Sequence, residues 1–218
     1  GEIPQSQFDQ GNGGDLEDQR DRLLEDLSLR VDISTVQREN GQVSVLLSGH
    51  NLVEGTKSVH LDTRQLSRDG VTSSRIFFED DGSLAPVREG RLRGLIEVRD
   101  EVIPGILGRL DTMVQAMVEE VNALHNAGFG RDGSTGVDFF DATMTSASNI
   151  AVDDAILNDL DNIAASADGN SGDNGAAIAI SGLRNQKILA GGSVTVEGFY
   201  NELLGEVGAR SKEAQTMA

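Results

Sequence analysis

The segment from Gly94 to Asn126 constrains this chain more than any other. Its apolar residues Leu95, Val102, Ile106, Leu110, Met113, Met117, Val121 and Leu124 step by three or four after the first gap, and a second row (Ile96, Ile103, Leu107, Val114, Val118) runs beside them. That spacing lays a wide apolar stripe along one face of a helix. Arg99, Asp100, Arg109, Asp111, Gln115, Glu119 and Asn122 fall on the opposite face and are expected to meet water. At about 1.5 Å per residue the stretch reaches roughly 50 Å, longer than a small domain is wide. Pro104 has no amide hydrogen and its ring crowds the carbonyl of Asp100, so the sequence predicts a kink there and a stronger helix over Pro104–Asn126. A rod of this length has to lie against other helices.

Two further segments supply them. Asp15 has the chemistry of an N-cap, with Glu17 and Asp18 in the positive first turn, and Leu16, Leu23, Leu24, Leu27 and Val31 give that helix a face to bury. Gly1–Gly14, ending in Gly11-Asn12-Gly13-Gly14, is expected to be loose. Near the other end, Ala176–Leu189 reads as a helix closed by Gly191-Gly192. Thr195 can cap a last helix in which Val196, Phe199/Tyr200, Leu203, Val207, Arg210 and Ala214 recur at coiled-coil spacing. Gly198, Gly205 and Gly208 weaken that helix intrinsically, so packing must hold it.

Between the helices the period changes. Val31 and Ile33, then Val43, Val45 and Leu47, alternate with polar residues around the hairpin signal Asn40-Gly41. Val59, Leu61 and the short run Arg75–Phe78 add strands, separated by turns at Gly49-His50-Asn51, Glu54-Gly55 and Asp80-Asp81-Gly82-Ser83. From Asp138 to Gly175 the chain has eight acidic residues and no Lys or Arg, which we read as an extended surface excursion with a flexible loop over Asp168–Gly175. The expected fold class is therefore α+β: long amphipathic helices packed as a bundle, with a small antiparallel β module inserted between helices. The expected divisions are 1–30, 88–137 and 176–218 for the helical domain, 31–87 for the β module, and 138–175 for the acidic excursion.

Composition removes most chemistry. The 218 residues can hold one sizeable core or two modest ones. A net charge of −18 repels phosphate backbones and anionic lipid, so neither nucleic acid nor a membrane surface is an expected partner. There is no cysteine to form disulfides, thiolate metal sites or nucleophiles. No apolar run approaches the roughly 20 residues of a membrane span, and no signal-peptide pattern opens the chain. The start at Gly1 and the end inside a helical pattern at Ala218 suggest an internal piece of something longer.

The surviving candidates are weak. Gly128-Phe129-Gly130-Arg131-Asp132-Gly133 has the letters of the dinucleotide motif, but that motif needs a strand before it and a helix after, and here a helix precedes and a loop follows. Asp132–Asp138 and Asp168–Asp173 invite a calcium reading, yet the twelfth positions are Thr143 and Ala179 where an EF-hand needs glutamate. His50, His60 and His125 have no i, i+4 partner for helical zinc binding, and His125 is placed to complement a helix dipole when protonated. The pairs within Glu79-Asp80-Asp81, Glu119-Glu120 and Asp153-Asp154 diverge in direction and lack an enclosing apolar pocket. The cluster Arg88, Arg91, Arg93 and Arg99 is expected to pair with nearby acids or an acidic neighbour subunit. No catalytic, cofactor-binding or metal-binding residue is assigned, no cofactor is expected, and the chain reads as no enzyme.

Four ordered runs carry a resemblance. They are Asp15-Leu16-Glu17-Asp18-Gln19-Arg20-Asp21-Arg22-Leu23-Leu24, Gly90-Arg91-Leu92-Arg93-Gly94-Leu95-Ile96-Glu97-Val98-Arg99-Asp100, then Val121-Asn122-Ala123-Leu124-His125-Asn126-Ala127-Gly128-Phe129 continuing through Asp132-Gly133 to Asp138-Phe139-Phe140, and Thr195 to Gly208 with Tyr200, Leu203 and Val207. Together they resemble the bacterial flagellar hook-associated protein 1 family, found at the hook–filament junction. The resemblance implies a secreted, extracellular structural protein, exported unfolded through the flagellar type III channel and assembled as a ring. Its implied partners are other copies of itself, the hook protein, the adjacent junction protein and an export chaperone bound through the missing C-terminal end. It implies a middle fragment without the terminal core helices, expected to be a soluble monomer on its own. Many members carry a larger β-rich domain after the Asp-Phe-Phe run, and His125 with Asp138-Phe139-Phe140 would be turn and packing residues. Rival readings are another flagellar axial protein (second junction protein, flagellin or cap), a calcium-binding adhesin-like module, and an uncharacterised hydrolase.

Overall fold

The computed structural model describes residues 10–38, 41–68 and 71–216. The expected loose stretch over residues 1–9 and Asn40 of the hairpin signal lie outside them. The chain divides into two compact units, Gly1–Val102 and Ile103–Ala218.

The first unit opens with helix α1 (Gln10–Arg30). This corrects the expected loop over Gly11–Gly14 and the cap at Asp15. Each helical residue added gains a backbone hydrogen bond, and glycine raises the cost of a helix without forbidding it. The expected buried face holds only at its C-terminal end. Val31 is buried and Leu27 packs against the core, while Leu16 and Leu23 stay more than 60% exposed, at 65% and 62%.

Strands β1 (Ile33–Gln37), β2 (Val43–Leu47), β3 (His50–Glu54) and β4 (Lys57–Ser58) form an antiparallel sheet in that order. β1 and β2 pair from Gln37↔Val43 to Ile33↔Leu47, so the hairpin register is the one the alternation predicts. β5 (Leu61–Arg68) and β6 (Val71–Phe78) form a separate ribbon in register over eight residues. Sequence reading marked Leu61 and Arg75–Phe78 as strand here and missed the residues between them. Apart from Val71 the rest of β6 is Thr and Ser, so it has no apolar alternation to announce it. Val31, Leu47, Leu52, Phe78 and Ala85 make the core of this unit, with Leu47 fully buried.

Helix α2 (Gly90–Glu97) packs against α1, and Gly90 explains how closely. A Cβ there would lie 2.7 Å from the Arg30 carbonyl carbon, and its φ of +79° also favours glycine. The helix then passes through a five-residue π turn, Val98–Val102, before α3 (Ile103–Ala127). This is the physical form of the expected kink. Pro104 cannot donate to Asp100, and a widened turn just before it absorbs the missing bond.

In the second unit α3 packs against α5 (Gly175–Gly182), strand β7 (Lys187–Leu189) and α6 (Val196–Thr216). Its buried residues are Val114, Val118, Asn122 and His125. The expected stripe thus turns inward only along the second half, while Leu107 near its start is 52% exposed. The expected helix Ala176–Leu189 is also corrected. It stops at Gly182, tightens through Leu183–Asn185, and gives way to β7, which pairs with β8 (Val194–Thr195). Gly191 and Gly192 are the left-handed turn of that hairpin instead of a helix cap. Thr195 does cap α6, its Oγ1 accepting from the Gly198 amide at 3.1 Å. Between α3 and α5 lies the short helix α4 (Asp154–Asn158), capped by the Asp153 carboxylate. Ile156 and Ala164 are buried, so the acidic excursion contributes to the core of this unit. No helix among the described residues is long and apolar enough to cross a membrane.

Candidate functional site

The densest polar arrangement sits where α3 ends. Asn122 was expected to face water and is instead 7% exposed. Its Oδ1 accepts from the amides of Phe139 (3.1 Å) and Phe140 (2.9 Å), and its Nδ2 donates to the Phe140 carbonyl at 2.8 Å. One turn on, His125 is 1% exposed and lies between two backbone groups. Its Nδ1 donates to the Val137 carbonyl at 2.7 Å, and its Nε2 accepts from the Ala164 amide at 2.9 Å. This pattern defines the neutral Nδ1–H tautomer. The expected dipole-complementing cation is therefore corrected, because a proton on Nε2 would face another N–H. Asn126 completes the row by donating to the Asp138 carboxylate.

Phe139 stands edge-on to both His125 and Phe140, with ring centroids 5.5 and 4.9 Å away. Gly128 and Gly130 are required by close packing. A Cβ on Gly128 would meet Ala176 Cβ at 2.8 Å, and one on Gly130 would meet the Asp161 carbonyl at 2.4 Å. The dinucleotide-like letters thus mark the tight exit from a helix, with no phosphate cradle. The side chains in this row are engaged by the fold, fastening the end of α3 to the loops at residues 137–140 and 164.

The acidic loops behave in the same way. Asp173 accepts from Ser166 Oγ and from the amides of Ala167, Asp168 and Gly175. Those donors, the Ala167 amide first, pull its carboxyl down to about 2. This corrects the expected flexible loop over Asp168–Gly175, since one carboxylate gathers its backbone. In the other loop Asp132 Oδ1 accepts from the Ser134 amide at 2.8 Å, an ordinary turn. Sequence reading missed both Asn122 and Asp173 as anchors. The visible signal was an Asn one helical turn before a His, and an Asp two residues before a helical Gly.

The arginine cluster is partly paired. Arg99 binds Asp100 at 2.6 Å and donates to the Ser74 carbonyl, and Arg93 reaches Glu101 at 3.3 Å. The Arg99 hydrogen bond holds the Asp100 carboxyl below its usual range. On α3, Arg109 pairs with Glu206 at 2.6 Å and lies over the Phe199 ring. Glu119, Glu120 and His60 are exposed. His50, by contrast, meets Asp80 and Asp81.

Two grooves open in the second unit. One, of about 460 Å³, is lined by Met113, Met117, Val121, Ile180 and Tyr200, with Arg184 and Glu197 at its edge. The other, of about 300 Å³, adjoins it at Val121 and Ile180 and contains the already saturated His125. The walls of both grooves are mainly apolar, with Arg184 and Glu197 the charged residues lining the larger one.

Comparison with known proteins agrees in direction. The flagellar hook-associated protein 1 of Bacillus subtilis is 28% identical over 93% of this chain and 47% of its own length. The proteins of the same name from Salmonella typhimurium and Escherichia coli are each 26% identical, over 58% and 57% of this chain and 24% of their own. The chain therefore spans about half the length of the Bacillus relative and a quarter of the enteric ones. Residues 1–140, running from α1 through the Asn122–His125 clamp to Phe140, match the family described as the flagellar hook-associated protein FlgK helical domain, and the chain belongs to that family.

Proposed function

We propose that this chain is a structural component of the bacterial flagellum at the hook–filament junction, acting through subunit contacts and not through catalysis. The observation that carries the reading is the family match over residues 1–140. The surface adds physical support. Leu16 and Leu23 on α1, Leu107 on α3 and Leu204 on α6 leave large side chains in water, at 65%, 62%, 52% and 50% exposure. Apolar residues aligned on helices are what a building block presents to its neighbours.

In this reading copies sit side by side in a ring, with the hook protein and the adjacent junction protein as axial neighbours and an export chaperone before assembly. The segments 1–30, 88–137 and 176–218 belong to one helical domain, with 31–87 and 138–175 as excursions from it. The protein acts outside the cell, reached through the flagellar export channel. A chain without cysteine suits that route, because no disulfide has to form or survive in transit.

Gold-labelled antibody against this chain, applied to intact flagella of the cell that encodes it, tests the proposal. A single band between hook and filament is expected. Label along the whole filament, only at its distal tip, or nowhere on flagellated cells would overturn it.

A further inference from the structure

His50 opens β3, while Asp80 and Asp81 form the turn after β6, so the fold joins residues that lie 30 apart in the chain. The Nε2 of His50 stands 3.1 and 3.2 Å from the two Asp80 oxygens, and its Nδ1 stands 3.8 Å from Asp81 Oδ2. The imidazole lies flat on the buried Phe78 ring, with centroids 3.9 Å apart and planes 16° from parallel. The carboxylates are oriented from behind. Asp80 Oδ1 accepts from the Asp81 amide, and Asp81 Oδ1 accepts from the Ser83 amide at 2.8 Å. The Oδ2 of each is left on the side of the ring.

We propose that His50, Asp80 and Asp81 bind a divalent first-row transition cation of the Zn²⁺ type. One ligand atom from each residue lies within 4.8 Å of the other two. Zinc bonds of about 2.0–2.1 Å in a tetrahedron place neighbouring ligand atoms roughly 3.4 Å apart. The Nε2–Asp80 edge, at 3.1 Å, is close to that spacing, while Asp81, whose Oδ2 stands 3.8 Å from the other ring nitrogen, swings toward Nε2 by rotation of its exposed side chain. Water fills the remaining positions, since all three groups are open to solvent.

The chemistry of the set favours this class of ion over the calcium reading of the acidic loops. An imidazole nitrogen suits Zn²⁺, Ni²⁺ and Cu²⁺, whereas Ca²⁺ and Mg²⁺ seek six or more oxygens. Two carboxylates beside an imidazole gather negative charge that a divalent cation offsets. The bound ion would tie the start of β3 to the end of the β5–β6 ribbon within the first unit.

Calorimetric titration of the metal-free 218-residue chain with ZnCl₂ at neutral pH tests the site. One Zn²⁺ per chain is expected, bound about tenfold or more weakly by H50Q and by D81N, with no heat from CaCl₂ or MgCl₂ at the same concentration. The melting temperature of the wild-type chain, and not of H50Q, should rise with added Zn²⁺. H60Q is the control and should bind as the wild type does. Absence of saturable heat at millimolar Zn²⁺, wild-type affinity in both H50Q and D81N, or loss of binding in H60Q would overturn the proposal. Should H50Q fail to fold, D81N alone decides, with the His50 imidazole resonances reporting whether Zn²⁺ reaches the ring.

Discussion

Asn122 does what an apolar side chain of its size cannot. A primary amide offers a donor and an acceptor a little over two ångströms apart, and here they serve two N–H groups and one carbonyl of the Phe139-Phe140 backbone. Replacing it by leucine keeps the number and branching of heavy atoms and strands all three. We expect Asn122→Leu and His125→Phe each to lower stability by about 1–3 kcal/mol per backbone group left unpaired, read as a shifted denaturant midpoint at unchanged slope. Asp173 gives a pH signature. Its carboxyl titrates near 2 in the fold, below its ordinary value of 3.8, so its contribution is present above the ordinary value and disappears as pH falls through 2. Asp173→Asn should therefore melt lower than the wild type at neutral pH, and the gap should close on acidification into that window.

Elements obey the same logic of local strength against packing. α6 keeps only Leu203 buried, and Gly205 and Gly208 have nothing within 4 Å of where a Cβ would stand. Alanine at either position should raise stability by about 0.5–1 kcal/mol, mostly by narrowing the unfolded ensemble, and a melting curve checks it. What the sequence disclosed at this scale follows from periodicity. The second half of α3 and the β1–β2 hairpin repeat strongly enough to be read, and so does the Thr195 cap. The β5–β6 ribbon is mostly polar between Asp62 and Arg75, and Lys187–Leu189 is too short to tell strand from helix, so neither carries a clear period. The site suffered more. Asn122 obeys its helix period but is buried by a loop 17 residues away, and His50 meets Asp80 only because two separate pairs of strands bring them together.

At the scale of the whole molecule, large apolar side chains stand in water on α1, α3 and α6, whereas the polar clamps are spent on backbone. The Asp141 amide donates to the Ala151 carbonyl and the Asp153 amide to that of Phe139, both at 3.0 Å, which closes the chain between them into a loop with fixed feet. Closure entropy grows only logarithmically, each doubling of such a loop costing about 0.6 kcal/mol. A soluble domain spliced between Thr145 and Ser148 should therefore leave the melting temperature of the surrounding fold within a few degrees of the parent, as calorimetry would register. Because Asn122 and His125 grip main-chain atoms only, they are indifferent to which side chains lie farther out along that stretch. A lineage could exchange what the loop displays, from a bare bend to an entire decorative lobe, as freely as a lamp is changed in its socket.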